Sequence, residues 1–237
     1  NAAPLLACIG DQQSAMLGLG VMEKGDGGIN YGTGGFLMVN TGAGLVPAKG
    51  LMASVHYSTE KERYYLLEGS VNAVGESLEW LRVRLGLFKE YAEVDDLCWK
   101  ASSDVVVFTG LNGTGAPHWE SAISTSVYGL SIDSAPADIV RGTVEGIAFF
   151  MKDIAEEIRS AGIEPASFTL SGGLASLSYL VQVQCDLLQK NAVVSTMQEV
   201  SALGAALLAG LKQGQWTAGE VKTMVSRGDV VNGEANP

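Results

Sequence analysis

The stretch "YGTGGFLMVN", Tyr31 to Asn40, joins two apolar segments through a short run of glycines and one threonine. The first segment ends near Tyr31, and "FLMVN" follows the glycines. Extended apolar runs on both sides of a glycine-rich turn predict a β-hairpin, because glycine adopts the backbone angles that tight turns need. This hairpin supplies the first two neighbouring strands of a predicted sheet.

The segments on either side of the hairpin predict a mixed α/β domain. Further strands are predicted at "PLLACI", "LMASVHYS", "RYYLLEG", "DVVVFTG", "SFTLSGG" and "AVVST", with "STEKE" as a charged turn. Helices are predicted over Gln12–Glu23, Ser70–Leu85, Leu87–Lys100, Pro136–Ala161, from about Leu177, and over Ser201–Leu211. Strands come first and then alternate with helices, which is typical of an α/β fold with a mixed sheet flanked by helices. We expect one domain over residues 1–237, with a tail over 217–237 whose end, "SRGDVVNGEANP", is predicted to be frayed.

Composition excludes several classes of partner. The chain has 237 residues, of which 47% are hydrophobic, so it can bury a sizeable core. A net charge of -11 opposes non-specific attraction to nucleic acid or to an anionic membrane surface, so neither is an expected partner. No apolar run is long enough to span a membrane, and we expect no charged-then-apolar leader at the start of the chain. The start without Met predicts a chain cut from a longer one.

The cysteines indicate a reducing compartment. Cys8, Cys98 and Cys185 are odd in number and have no metal-ligand spacing. We therefore expect reduced, buried thiols in a cytoplasmic protein.

Three glycine or acid positions each allow a structural and a functional interpretation. Asp11 opens the first predicted helix, where aspartate is a good N-cap. The "YGTGGF" loop is either a tight hairpin or a cradle of backbone N–H groups for phosphate. Gly172 and Gly173 follow a strand and precede a helix, so they form either a close turn or a contact with a ligand at the carboxyl edge of the sheet.

The histidines and the standard catalytic motifs do not identify a function for the chain. His118 beside Trp119 is an acid–base candidate or an ordinary surface residue, and His56 in a strand is interpreted as structural. The sequence contains neither "GxxxxGK[ST]" nor "HExxH", no readable Ser/His/Asp arrangement and no metal-ligand cluster, so we predict no metal ligands on the chain.

The order of weaker motifs carries more information. Seven segments occur in sequence: "GDQQSAMLG", "YGTGGFLMVNTG", "LEGSVNAVGESLEWLR", "GAPHW", "VYGL" with "RGTVEGIAF", "SGGLAS" and "SALGAALLAGL". In this order they resemble the FGGY carbohydrate kinases from about Pro4 to Trp216, most closely the members that act on glycerol. The resemblance implies an actin-like, ribonuclease-H-like ATPase fold, with this chain as the second of two lobes that close over Mg²⁺-ATP and a polyol or sugar. The first lobe is absent from the chain, so we do not expect turnover by the chain alone.

The resemblance also implies roles for residues that match the family. Asp11 matches the general base that accepts the proton of the attacking hydroxyl, which suits phosphoryl transfer because alignment matters more there than base strength. Gln12 matches a residue that binds substrate hydroxyls, and Phe36 matches one that packs on the C–H face of the substrate. The implied nucleotide-binding residues are Thr33 and Gly34 at the terminal phosphates, Gly75 and Glu79 at the nucleoside, and Gly172 and Gly173 at the adenosine side.

Some positions depart from the family pattern. Ser171 replaces an aspartate, Leu177 an asparagine that contacts adenine, Glu79 a glutamine, and His118 the tyrosine of "APYW". These changes affect the adenine contacts and leave room for a different acceptor. Two alternatives therefore stay open: a family member that phosphorylates a ketose or sugar alcohol, and a non-catalytic actin-like nucleotide-binding module. Apolar residues such as Phe36 and Trp119, without a covering lobe, predict a homo-oligomer.

Overall fold

A computed structural model describes residues 4–59, 62–225 and 228–233. Its strands are β1 (Asp26–Tyr31), β2 (Gly35–Gly42), β3 (Met52–Ser58), β4 (Arg63–Val71), β5 (Val106–Phe108), β6 (Ser126–Tyr128), β7 (Ser167–Ser171), β8 (Ala192–Val194) and β9 (Val230–Val231). Its α-helices are α1 (Asp11–Gly18), α2 (Val74–Trp80), α3 (Ala92–Lys100), α4 (Pro136–Ser160), α5 (Ser178–Leu188), α6 (Val200–Lys212) and α7 (Ala218–Met224). A π-helical turn, Leu81–Leu85, follows α2, and a 3-10 turn, Gly173–Ser176, precedes α5.

The main sheet is mixed, as the sequence predicts. Its strand order is β3-β4-β2-β1-β7-β8-β9, and β5 pairs with β6 separately. The predicted hairpin forms between β1 and β2, with Tyr31 opposite Gly35. β1 then runs parallel to β7, and β7 runs parallel to β8. Strand β1 therefore lies at the centre, between the antiparallel half and the parallel half of the sheet.

Helices cover both faces of this sheet. Leu37 and Val39 of β2 belong to a core formed with α2, α3, α4 and α5, whereas Met38 packs with residues of α1 on the other face. This alternation follows from the two-residue repeat of a strand, which sends successive side chains to opposite faces. Helices α6 and α7 extend the second face through Leu207 and Val221, and we call this second face the α1 face.

Two predicted elements at the start of the chain are wrong or too long. "PLLACI" does not form a strand: Leu5 is exposed, and Ala7 and Ile9 pack against the cluster of α6 and α7. A strand needs a paired neighbour for its backbone groups, and no ladder of the described residues includes this run. Helix α1 ends at Gly18, earlier than predicted, because Gly20 takes a positive φ of 78°.

The middle and end of the chain also differ from prediction. The helix predicted over Ser70–Leu85 begins at Val74, since β4 continues to Val71 in its ladder with β2. The helix predicted over Leu87–Lys100 shortens to α3. Within the predicted tail 217–237, α7 buries Val221 and β9 pairs with β8, while residues 226–227 and 234–237 lie outside the described ranges.

The thiols follow the prediction only in part. Cys98 and Cys185 are buried, but Cys8 is exposed because the run that contains it does not enter the sheet; all three are free. Within the described ranges, the helices are too short or too polar to cross a membrane.

His56 is buried in β3, in the irregular step where Val55 pairs with Tyr65 and Tyr57 with Tyr64. Neither ring nitrogen makes a well-formed hydrogen bond within the described part of the chain. Burial lowers the pKa of His56 from its usual 6.5 to about 3, and the nearby backbone of Gln13 opposes this only weakly. The imidazole is therefore neutral in the folded chain at neutral pH.

This histidine should make the chain sensitive to acid. The unfolded chain takes up a proton near pH 6.5 and the folded chain only near pH 3, so stability falls as pH drops through that window. Each pH unit costs up to about 1.4 kcal/mol from this group. Urea unfolding at several pH values should show that the free energy of unfolding falls less steeply with decreasing pH for His56→Phe than for wild type. An equal pH dependence in both proteins would contradict the assignment.

Candidate functional site

The tip of the β1–β2 hairpin, residues 32–34, packs against the start of α2. The backbone N–H of Gly75 donates to the carbonyl oxygen of Gly32 at 3.0 Å, and that of Glu76 approaches the carbonyl of Thr33 at 3.4 Å. A Cβ at Gly75 would come within 2.7 Å of the Gly32 oxygen, so only glycine permits this approach. The hairpin tip is thereby held against α2, with the Thr33 side chain exposed.

A cavity of about 940 Å³ opens beside this junction. Its lining comes from the hairpin tip, α2, α3 and the 3-10 turn before α5: Tyr31, Gly32, Thr33, Gly75, Glu76, Glu79, Tyr91, Ala92, Asp95, Gly173, Leu174, Ser176 and Leu177. Four of the six predicted nucleotide-binding positions, Thr33, Gly75, Glu79 and Gly173, are among them. A mostly apolar cavity with a few polar groups, at the carboxyl ends of β1 and β7, has the form and place of a ligand site.

The other two predicted positions lie next to this cavity in the chain. Gly34 belongs to the hairpin tip, where its carbonyl accepts the Gly32 N–H at 2.9 Å. Gly172 has a φ of 92° and approaches the backbone of Tyr31 closely. Their observed roles are thus to shape the two turns that border the cavity.

Glu79 is held in place by its neighbours. Arg82 donates to its two carboxylate oxygens at 2.7 and 2.9 Å, and the Tyr91 hydroxyl donates to Oε2 at 3.2 Å. These contacts, with Arg82 first, lower the pKa of the Glu79 carboxyl. A ligand in the cavity therefore meets an ionised group that only accepts hydrogen bonds.

Sequence reasoning missed several lining residues, among them Tyr91 and Asp95. Asp95 of α3 accepts the backbone N–H groups of Ser178 at 3.1 Å and Tyr179 at 2.8 Å, which caps the start of α5. No local pattern marks this contact, because the cap comes from a helix 83 residues away in sequence. Leu177, noted as a departure from the family, forms part of the apolar wall.

Ser171, where family members have aspartate, has a structural contact. Its hydroxyl accepts a hydrogen bond from the Asn30 side-chain amide at 3.1 Å. It is buried at the end of β7, opposite Asn30 of β1, and does not line the cavity.

Asp11 lies on the α1 face, at the first residue of α1. Gly10 occupies the N-cap position, and the Asp11 Oδ1 accepts the backbone N–H of Gln12 at 2.8 Å. The side chain is exposed. The interpretation of Asp11 as the N-cap is therefore wrong, because Gly10 holds that position and no side chain of the described residues caps the helix. Within the described ranges, the Asp11 carboxylate contacts only the next N–H in the first turn and otherwise faces solvent.

Helix α6 positions helix α1. The Ser201 hydroxyl donates to the Asp11 carbonyl at 3.1 Å, and the Ser14 hydroxyl donates to the Ser201 carbonyl at 2.6 Å. A Cβ at Gly204 would collide with the Ser14 carbonyl oxygen, so the two helix backbones touch there. The motif "SALGAALLAGL" therefore holds the helix that carries Asp11.

The two predicted substrate-binding residues share the α1 face with Asp11. Phe36 of β2 is half-buried against the cluster that contains Met16 and Met38. Gln12 follows Asp11 and is half-buried. Because Phe36 comes directly after the hairpin tip, that tip connects the α1 face with the cavity on its other side.

His118 and Trp119 lie outside the cavity. His118 Nε2 is 2.9 Å from the Asp153 carboxylate, and the Trp119 indole N–H donates to the Gly50 carbonyl at 2.6 Å. Trp119 is half exposed, whereas Phe36 packs on its neighbours, so self-association through both stays a prediction. Within the described ranges, no three His, Cys, Asp or Glu side chains group as metal ligands.

Comparison with known proteins gives a consistent result. Residues 27–212 match the model of the FGGY family of carbohydrate kinases, C-terminal domain. The chain is 35% identical over 221 residues to glycerol kinase of Halalkalibacterium halodurans, covering 92% of the chain and 44% of that protein. It is 34% identical over 239 residues to glycerol kinase of Enterococcus casseliflavus, covering 99% of the chain and 47% of that protein. The chain thus spans about half the length of these relatives.

Solved structures agree on the fold. The crystal structure of Plasmodium falciparum glycerol kinase with ADP superposes with a TM-score of 0.91 at 32% identity, covering 97% of this chain and 47% of that one. A xylulose kinase from Rhodospirillum rubrum superposes with a TM-score of 0.84 at 22% identity, covering 94% and 46%, and shows the fold alone. The fold is that of an actin-like ATPase lobe.

Proposed function

Because the chain belongs to the FGGY family of carbohydrate kinases, we propose that it supplies one lobe of an ATP-dependent kinase acting on a hydroxyl of glycerol or a related polyol. Residues 1–237 form that lobe, and an N-terminal kinase lobe supplies the rest of the site. We call the polypeptide in which such a lobe precedes this chain the two-lobe protein. The use of ATP by the two-lobe protein and the free cysteines of this chain favour a cytoplasmic location for that protein.

One observation carries this proposal. Thr33 of the hairpin tip lines the cavity. Phe36, shortly after the tip in sequence, lies on the α1 face. A nucleotide whose base occupies the cavity can therefore direct its terminal phosphate past the tip toward the face where Asp11 lies. Backbone N–H groups at glycine turns can hold a phosphate chain without a basic surface, which suits a chain with a net charge of -11.

The reaction assigns one proton transfer to the chain. The acceptor hydroxyl attacks the γ-phosphorus of ATP in line, the bond to the β,γ-bridging oxygen breaks, and ADP leaves with the bond electrons. Asp11 accepts the hydroxyl proton, while Gln12 and Phe36 hold the acceptor. Mg²⁺ brought in with ATP would supply positive charge against the phosphates during the transfer.

A panel of acceptors tests the proposal. ADP release by the two-lobe protein is measured with glycerol, pentuloses, hexuloses and sugar alcohols, with this chain alone as control. We expect turnover of glycerol or a related polyol by the two-lobe protein and none by the chain. Turnover of a ketose alone would favour the ketose kinase alternative. ATP binding without turnover of any acceptor would favour the non-catalytic module.

A further inference from the structure

Glu68 of β4 is a buried carboxylate without a partner. Its residue exposure is only 5%, and within the described ranges its carboxylate makes no hydrogen bond or ion pair. Burial raises the pKa of this carboxyl. Its oxygens are not among the fully enclosed polar atoms, so they retain contact with solvent. A buried charge that no protein group compensates is costly, which suggests that something other than the chain is its partner.

The alternation of β4 assigns Glu68 to the α1 face. Leu67 belongs to the core beneath α4, whereas Leu66 belongs to the cluster with α1. A Cβ at Gly69 would meet Ile154 of α4. Since side chains alternate, Glu68 shares its face with Leu66.

The ladder brings Glu68 next to the candidate acceptor residues. It pairs with Met38 of β2 and Met52 of β3, so Phe36 and Ser54 are its diagonal neighbours. Diagonal neighbours lie roughly 7–8 Å apart, so one small polyol that packs on the Phe36 ring is within reach of the Glu68 carboxylate. Gln13 Nε2 lies 3.5 Å from the Ser54 hydroxyl, which connects this part of the sheet with the first turn of α1.

The chemistry of this surface favours a neutral acceptor. Asp11 and Glu68 place two carboxylates on one face, and no salt bridge of the described residues involves either of them. Two carboxylates attract hydroxyl donors and repel an acceptor that carries its own carboxylate or phosphate.

We infer that Glu68 is a second acceptor-binding carboxylate, which accepts a hydrogen bond from a non-reacting hydroxyl of a neutral polyol. This inference rests on the proposed function and adds a specificity residue to it. Asp11 takes the proton of the reacting hydroxyl, while Glu68 holds a different hydroxyl and so orients the acceptor against Phe36.

Glu68→Gln in the two-lobe protein tests this assignment. Loss of a charge-assisted hydrogen bond should raise the KM for the acceptor about 10- to 100-fold. The KM for ATP should not change. Glutamine has the shape of glutamate without the charge, so the fold is expected to survive; Glu68→Asp, which keeps the charge, should bind the acceptor better than Glu68→Gln. Glu156→Gln, at an exposed site on α4, is the matched control and should behave as wild type.

Acceptors that lack one hydroxyl separate binding from a structural effect. With glycerol as acceptor, these are the two propanediols. In wild type, removing the hydroxyl that Glu68 holds should raise the KM for the acceptor as much as Glu68→Gln does. In the variant, removing the same hydroxyl should change the KM little. Equal losses for all acceptors in the variant, or no loss at all, would overturn the inference while leaving the kinase proposal intact. Absence of any polyol turnover in wild type would overturn both.

Discussion

Replacing Asp11 by Asn in the two-lobe protein should lower turnover by about 10²- to 10⁴-fold, the usual contribution of a general base. The change keeps the side-chain oxygen that accepts the Gln12 N–H at the start of α1, so the helix and the fold should persist. The cavity that we assign to the nucleotide does not include Asp11, so the KM for ATP should stay unchanged. Steady-state kinetics with both substrates varied measures both quantities.

Asp96→Asn is the matched control for this experiment. Asp96 is an exposed carboxylate of α3, paired with Lys100 at 3.3 Å, and it touches neither the cavity nor the α1 face. This variant should turn over as wild type does. A rate for Asp11→Asn that equals the control would show that Asp11 only stabilises the helix start.

Gly204→Ala should destabilise the chain by about 1–3 kcal/mol, as overpacking does at a close contact. The added methyl would overlap the Ser14 carbonyl, so α1 must move away from α6. Because α1 carries Asp11, we expect turnover of the two-lobe protein to fall as well, by up to about 100-fold for a displacement near 1 Å. Urea unfolding of the chain and kinetics of the two-lobe protein measure the two effects.

Gly219→Ala provides the contrast. Gly219 lies in α7, and nothing would lie within 4 Å of its Cβ. Alanine is the better helix former, so this variant should be slightly more stable than wild type with full turnover. A Gly204→Ala variant that resembles Gly219→Ala in both measurements would contradict the close contact between α1 and α6.

The sequence predicts the hairpin and the order of most elements because their signals are local. The run from Tyr31 to Asn40 contains its own turn, and the stripe of α4 repeats along one helix. "PLLACI" has an equally apolar composition, but whether it pairs depends on a free sheet edge, which the run itself cannot supply. The start of α2 depends in the same way on how far β4 continues its pairing with β2.

The residues of the candidate site also fall into two groups, those that a local motif identifies and those whose role depends on the fold. Motif order identifies Asp11, Phe36 and the glycines of the two turns, because each stands in a recognisable segment. Asp95 lies outside these segments and acts on a helix far along the chain. Glu68 lies within the segment "LEGSVNAVGESLEWLR", but the motif gives it no role, because its burial and lack of a side-chain partner appear only in three dimensions.

The central claim is that this chain brings a general base and a nucleotide cavity to the two sides of one hairpin tip. A crystal structure of the two-lobe protein with ADP and its best acceptor tests this most directly. We expect the adenosine in the cavity beside Gly75 and Gly173, and an acceptor hydroxyl about 2.6–3.2 Å from the Asp11 carboxylate. An acceptor bound away from Asp11, with the cavity empty of nucleotide, would contradict the account.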